Sequence, residues 1–153
     1  MFPFGRSVRK FESAQSFRLF MEGVRALQHY DKKGASDTPV DEDELNKLLE
    51  RAEKFFNNCV EAYPKDILPR YYHGIVLSIR AQVEQARALR LQIETGNAIQ
   101  VTSDLADILF RKAATEFARV ADQVGKGRGG RDLLVYAQYN EAQTLAKMGP
   151  LRK

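Results

Sequence analysis

Residues 52–77, AEKFFNNCVEAYPKDILPRYYHGIVL, read as the end of one helix, a turn and the start of the next. Leu45, Leu48, Leu49, Ala52, Phe56, Cys59 and Val60 recur at three- and four-residue steps, which is one apolar face of a helix. That helix stops at Tyr63, because the residue before Pro64 is pushed out of the helical basin. Asp66 can cap the next helix, and Pro69 still falls in its first turn, where a missing N–H costs nothing. Two helices joined by so short a turn lie side by side and antiparallel.

The start of the first of these helices is also marked. Thr38 can cap it and Pro39 suits its first position, so the helix is predicted over 39–63. Asp41, Glu42, Asp43 and Glu44 then put negative charge where the helix dipole favours it. Upstream, Phe17, Phe20, Met21, Val24 and Leu27 predict a helix over about 7–32, closed by Lys32, Lys33 and Gly34, with 34–39 a loop. Phe2 and Phe4 are expected to tuck against a helix. Downstream, the third helix is predicted from Ile67 as far as Thr95. Its first half is apolar (Leu68, Tyr71, Tyr72, Ile75, Val76, Ile79) and its far end is partly exposed. Gly96 ends it. Thr102 or Ser103 caps a fourth helix, with Leu105, Ile108, Leu109, Ala113, Phe117, Val120 and Val124 facing inward. A fifth runs over about 132–148, with Leu134, Tyr136, Ala137, Asn140, Ala142 and Leu145 as its packing residues. No segment alternates with a two-residue period between hairpin turns, so the expected class is all-α, with about five helices in one domain over 1–153.

The residue order resembles a tetratricopeptide (TPR) repeat. Ala52, Phe56, Cys59 and Pro64 match that family's second helix and closing proline. Gly74, between Tyr71-Tyr72 and Leu77, matches the small residue where the next first helix packs closely. Ala113, Phe117 and Val120 repeat the second-helix spacing. Ala142, Leu145 and Gly149 look like the first helix of a further unit, and Leu19 with Gly23 like that of the earliest. The repeats are long: 51 residues separate Gly23 from Gly74, against about 34 in the family. The resemblance implies an antiparallel helical hairpin array; the other packing open to five such helices is an irregular five-helix bundle. In an array the fifth helix would have a first-helix character and no second helix beside it. Then it caps the array, another chain covers its face, or the chain is cut short.

Composition bounds the function. The chain has 153 residues, 44% hydrophobic and 29% charged, enough to bury roughly 70% of the unfolded surface in one core. No apolar run approaches a membrane span, and the opening MFPFGRSVRKF lacks the apolar stretch of a secretory signal, so a cytoplasmic protein is expected. Net charge is +4, unevenly spread. Residues 41–66 hold eight acidic and four basic side chains; residues 126–153 hold two and six. Such asymmetry can draw copies together.

Candidate chemistry is sparse. Gly125 to Arg131 reads GKGRGGR, but its Lys comes early and a helix precedes it, so it is no phosphate loop and reads as a charged connector. His29 and His73 lie on different helices without ligands at metal spacing, and His73 beside Gly74 reads as a packing residue. Cys59, the only cysteine, falls on an apolar face and reads as core. The acidic run 41–44 points in several directions around a helix and reads as a solvated first turn. No catalytic residue, metal ligand or cofactor site is assigned.

The expectation is therefore a non-enzymatic protein-interaction module that presents a helical groove to a peptide, a partner helix or a second copy. By motif match the TPR resemblance places Phe20, Val24, Tyr71, Ile75, Tyr136, Tyr139 and Gln143 in that groove, where aromatic anchors with polar neighbours suit peptide recognition. The alternative is a small basic helical subunit that contacts nucleic-acid backbone through Arg80, Arg87 and Arg90, which share a helix face, and Lys126, Arg128 and Arg131.

Overall fold

The computed structural model describes residues 10–36, 39, 41–96, 104–128 and 130–148, the side chains of 127 and 128 excepted. Those residues form five α-helices and no strand: α1 (Ala14–Gly34), α2 (Glu42–Ala62), α3 (Ile67–Thr95), α4 (Asp104–Gln123) and α5 (Arg131–Lys147). A π-helical turn, Val124–Arg128, follows α4 directly, so the connector expected at 125–131 begins as a continuation of the helix.

Each helix packs on the next along the chain, α1 with α2 and α3 with α4 most extensively. Ser16 meets Cys59 and Lys33 pairs with Glu44, so α1 and α2 run antiparallel. Glu53–Arg80 and Glu42–Arg90 fix the same sense for α2 and α3. Arg70–Glu116 and Gln123–Pro64 fix it for α3 and α4.

The helix ends differ in detail from the sequence expectation. α1 begins at Ala14, where the Ser13 hydroxyl accepts the Ser16 N–H at 3.1 Å. α2 begins at Glu42, because Asp41 itself caps, accepting the Asp43 N–H at 3.0 Å. Pro39 precedes that helix; Thr38, Thr102, Ser103, Phe2 and Phe4 lie outside the described residues. Tyr63 closes α2, and Gly96 closes α3 in the left-handed region at φ 61°. Asp66 occupies the cap position of α3 without capping it. Its carboxylate reaches α1 instead, accepting the Glu12 N–H at 2.9 Å and the Ser16 hydroxyl.

The core is a run of rings across four helices. Phe11 packs on Phe20, Phe20 on Phe56 and Tyr72, Tyr72 on Tyr71, and Tyr71 on Phe117, with centroids 5.1–5.7 Å apart. Tilted and edge-on pairs at that spacing each add about 1 kcal/mol beyond the area they bury. Two glycines let the helices close. A Cβ on Gly23 would sit 2.5 Å from Phe56, and one on Gly74 would sit 2.8 Å from Phe117. Both hairpins thus seat a phenylalanine of the second helix on a glycine of the first.

α4 and the π-helical turn after it bury Leu109, Ala113, Phe117, Val120 and Val124 as the spacing predicts, and only the start of α4 differs. Phe110 is fully buried and Ala106 nearly so, whereas Leu105 and Ile108 are about half exposed. On α5, Leu133, Ala137 and Thr144 face the core, while Tyr136 and Leu145 face out. Phe17, expected in the core, is also exposed and lies edge-on to Phe11.

Candidate functional site

The first turns of α3 carry two basic side chains in an otherwise apolar stretch, Arg70 and His73. Three residues apart, they point to the same side. Opposite them, on α4, stands Glu116. The Arg70 Nη1 donates to Glu116 Oε1 at 3.0 Å, and His73 Nδ1 lies 2.7 Å from Glu116 Oε2. Arg119, one turn further along α4, brings Nη1 within 3.7 Å of Oε1. Arg70 and Glu116 are buried. Burial raises the Glu116 pKa, but the bonds and charges of His73 and Arg70 outweigh it and hold the carboxyl below its ordinary value. An ionised Glu116 fixes the proton of His73 on Nδ1.

This cluster forms the floor of an open groove of about 860 Å³ between α2 and α4. The α2 wall carries Glu53, Lys54, Asn57 and Glu61, and the α4 wall carries Arg111, Lys112, Thr115 and Arg119. Its apolar lining is limited to Val60, Pro64 and Leu77.

The residues assigned to a peptide groove divide between the core and the outer face of α5. Phe20, Val24 and Tyr71 are buried and Ile75 is half-buried. The reason is that α1 and α3 touch: Phe20 packs on Tyr72, so the flank that would have opened between first helices is filled. Tyr136, Tyr139 and Gln143 do face solvent, on α5. There Val135, Tyr139, Ala142 and Ala146, spaced four, three and four apart, make an exposed stripe. Tyr71 instead ties α5 to α3, its hydroxyl accepting from Asn140 Nδ2 at 2.8 Å. Burial pushes the Tyr71 hydroxyl up to about 12.

The arginines of α3 are engaged. Arg80 pairs with Glu53, Arg87 lies 3.6 Å from Glu84, and Arg90 forms a two-pronged pair with Glu42. Lys126 pairs with Asp122 at 3.2 Å and Arg131 is exposed; the Arg128 side chain lies outside the described residues. Cys59 is buried against Ser16, and burial pushes its thiol up, so it is held protonated. Among the described residues no helix is long and apolar enough to cross a membrane.

Sequence reasoning missed the Arg70–Glu116–His73 cluster. Its one visible trace is a pair of basic residues at helical spacing inside an apolar run. Comparison with protein-family models, curated proteins and solved structures finds no match.

Proposed function

We propose that the chain is a non-enzymatic interaction module, and that its α5 flank packs against the same flank of a second copy. The observation that carries this reading is the stripe Val135, Tyr139, Ala142 and Ala146, exposed on a helix whose other side is already committed to the core. The stripe is self-complementary in size. An antiparallel, two-fold pairing that sets Tyr139 against Ala142 of the second copy also sets Val135 against its Ala146. Large meets small at every step, as Phe56 meets Gly23 and Phe117 meets Gly74 within the chain. An isologous contact of this kind closes at two copies. The repeated phenylalanine-on-glycine seat also supports the TPR resemblance, in which stacked hairpins supply a rigid frame.

The nucleic-acid alternative is weaker, because Arg80, Arg87 and Arg90 are already bound to carboxylates. Light scattering across a concentration series tests the pairing. A mass of twice 17.4 kDa is expected, falling to that of one chain in Tyr139→Arg and Ala142→Arg with unchanged helical circular dichroism. A single-chain mass at every concentration overturns it.

A further inference from the structure

We infer that the groove between α2 and α4 receives an acidic peptide segment of another protein. This site is separate from the α5 flank and does not depend on how α5 pairs.

The first argument is charge. Two of the groove's three acids are already matched by cations, Glu53 by Arg80 and Glu116 by Arg70 and His73, while Glu61 accepts only from the neutral Asn57 amide at 3.4 Å and keeps its charge. The walls nevertheless carry more cations than these acids use. Lys54 on α2 and Lys112 on α4 are exposed, and neither has an acidic partner among the described residues. Two ammonium groups on opposite walls, above a floor of neutralised pairs, attract an anion that lies between them.

The second argument is shape. Arg111, Thr115 and Arg119 follow one another at four-residue steps along the α4 wall, about 12 Å from end to end at the helical rise. That length is spanned by about four residues of extended chain. Thr115 and Asn57 add polar groups on either side, suited to the peptide units between acidic side chains.

The third argument is what the groove lacks. Among the described residues that line it there is no Phe or Tyr, and the one imidazole, His73, lies at the floor bonded to Glu116, so bases would find no open ring to stack on. Glu61, which no cation matches among the described residues, would repel a continuous phosphate backbone passing along the α2 wall. Spaced carboxylates on a flexible chain can meet the cations and avoid the acids.

Fluorescence anisotropy with a labelled peptide alternating Asp and Glu with Gly and Ser tests this, using the full chain. Controls are the same peptide with Asn and Gln for the acids, and a single-stranded oligonucleotide of equal charge. The acidic peptide is expected to saturate and the neutral one not. Lys54→Glu with Lys112→Glu should weaken binding by at least about tenfold. Lys47→Glu with Lys65→Glu changes net charge equally but lies outside the groove, and should leave binding within about twofold. All four positions are exposed, and circular dichroism reports that each variant stays folded. Absence of saturation, equal loss in the two double variants, or tighter binding of the oligonucleotide would each overturn the proposal.

Discussion

Phe56 occupies the space that a side chain at Gly23 would need: a Cβ there would sit 2.5 Å from Cε1 and 2.8 Å from Cζ. Replacing a mid-helix glycine by alanine ordinarily stabilises by about 1 kcal/mol. Here the gain is overridden, because Phe56 is fully buried between Phe20 and Tyr72 and has no room to withdraw. Gly23→Ala should destabilise by about 1–3 kcal/mol, and Gly74→Ala, against Phe117, by a similar amount. Gly34→Ala is the control. Nothing lies within 4 Å of its Cβ position, and it should be neutral or stabilising by about 0.5 kcal/mol. Urea melts of the three variants check the order, and a Gly34 variant as damaged as the other two would remove the packing explanation.

Glu116→Gln should cost about 3 kcal/mol at neutral pH, since it strips the counter-charge from Arg70 and leaves one acceptor oxygen for the two donors Arg70 and His73 in a buried site. The cost depends on pH in a definite sense. The folded pKa of Glu116 is depressed, so the unfolded chain binds more protons near that pKa, and stability rises with pH there. The contribution is complete above about pH 4.5 and is lost as pH falls through the lower folded value. Wild type and Glu116→Gln should therefore converge in stability in acid. Parallel curves down to the acid limit would show that Glu116 is not held ionised by its two partners.

Asp66→Asn should show the opposite trend. Burial raises the Asp66 pKa, against the lowering effect of the Ser16 and Glu12 hydrogen bonds. The folded chain then binds the extra proton, so this group's contribution falls as pH rises through the window above 3.8. Asparagine keeps one acceptor for the Glu12 N–H and an amide that Ser16 can accept. The loss at neutral pH should be about 1 kcal/mol or less, growing as pH falls. Thermal melts at matched ionic strength measure both substitutions side by side. A penalty for Asp66→Asn that shrinks in acid would mean that its carboxylate is stabilised rather than strained by burial.

How far the chain could be read from its residues varies by element. The hinge at Pro64 and the face Ala52–Phe56–Cys59–Val60 were legible, because three- and four-residue spacing states which side of a rod is apolar. All-α architecture follows from that spacing alone. Spacing does not say which flank of an apolar rod stays open: Phe20, Val24 and Tyr71 suit a groove by motif match, yet all three are buried, and Tyr72 packs on Phe20 and Tyr71. On α4 and the turn after it the spacing gives Leu109, Ala113, Phe117, Val120 and Val124 correctly, but at the first turns apolar residues stand on both sides of the arc, and it is Ala106 and Phe110 that are buried while Leu105 and Ile108 are half exposed. The Glu116 cluster joins residues more than 40 positions apart, with separations of 46 and 43, and a polar residue trapped in a core has no period of its own. Asp66 stands at the helix start that its residue type suggests, yet its side chain does not cap that helix and bonds to Ser16, 50 residues earlier.

The flank proposed to pair is held in place by Asn140, which donates to Tyr71 across the α3–α5 boundary and to the Tyr136 carbonyl within α5. Tyr71→Phe removes the acceptor but leaves Asn140 half-exposed and its second bond intact, and should cost about 1 kcal/mol. Asn140→Ala should cost about as much, because the buried Tyr71 hydroxyl then loses its donor. The double variant should cost less than the sum, with a coupling of about 0.5–1.5 kcal/mol. If that bond sets the register of α5, Asn140→Ala should also loosen the association of two copies while leaving the acidic-peptide groove, built from α2, α3 and α4, unaffected. Additive losses in the cycle would show that Tyr71 and Asn140 act apart, and that the rings and Leu133 alone seat α5.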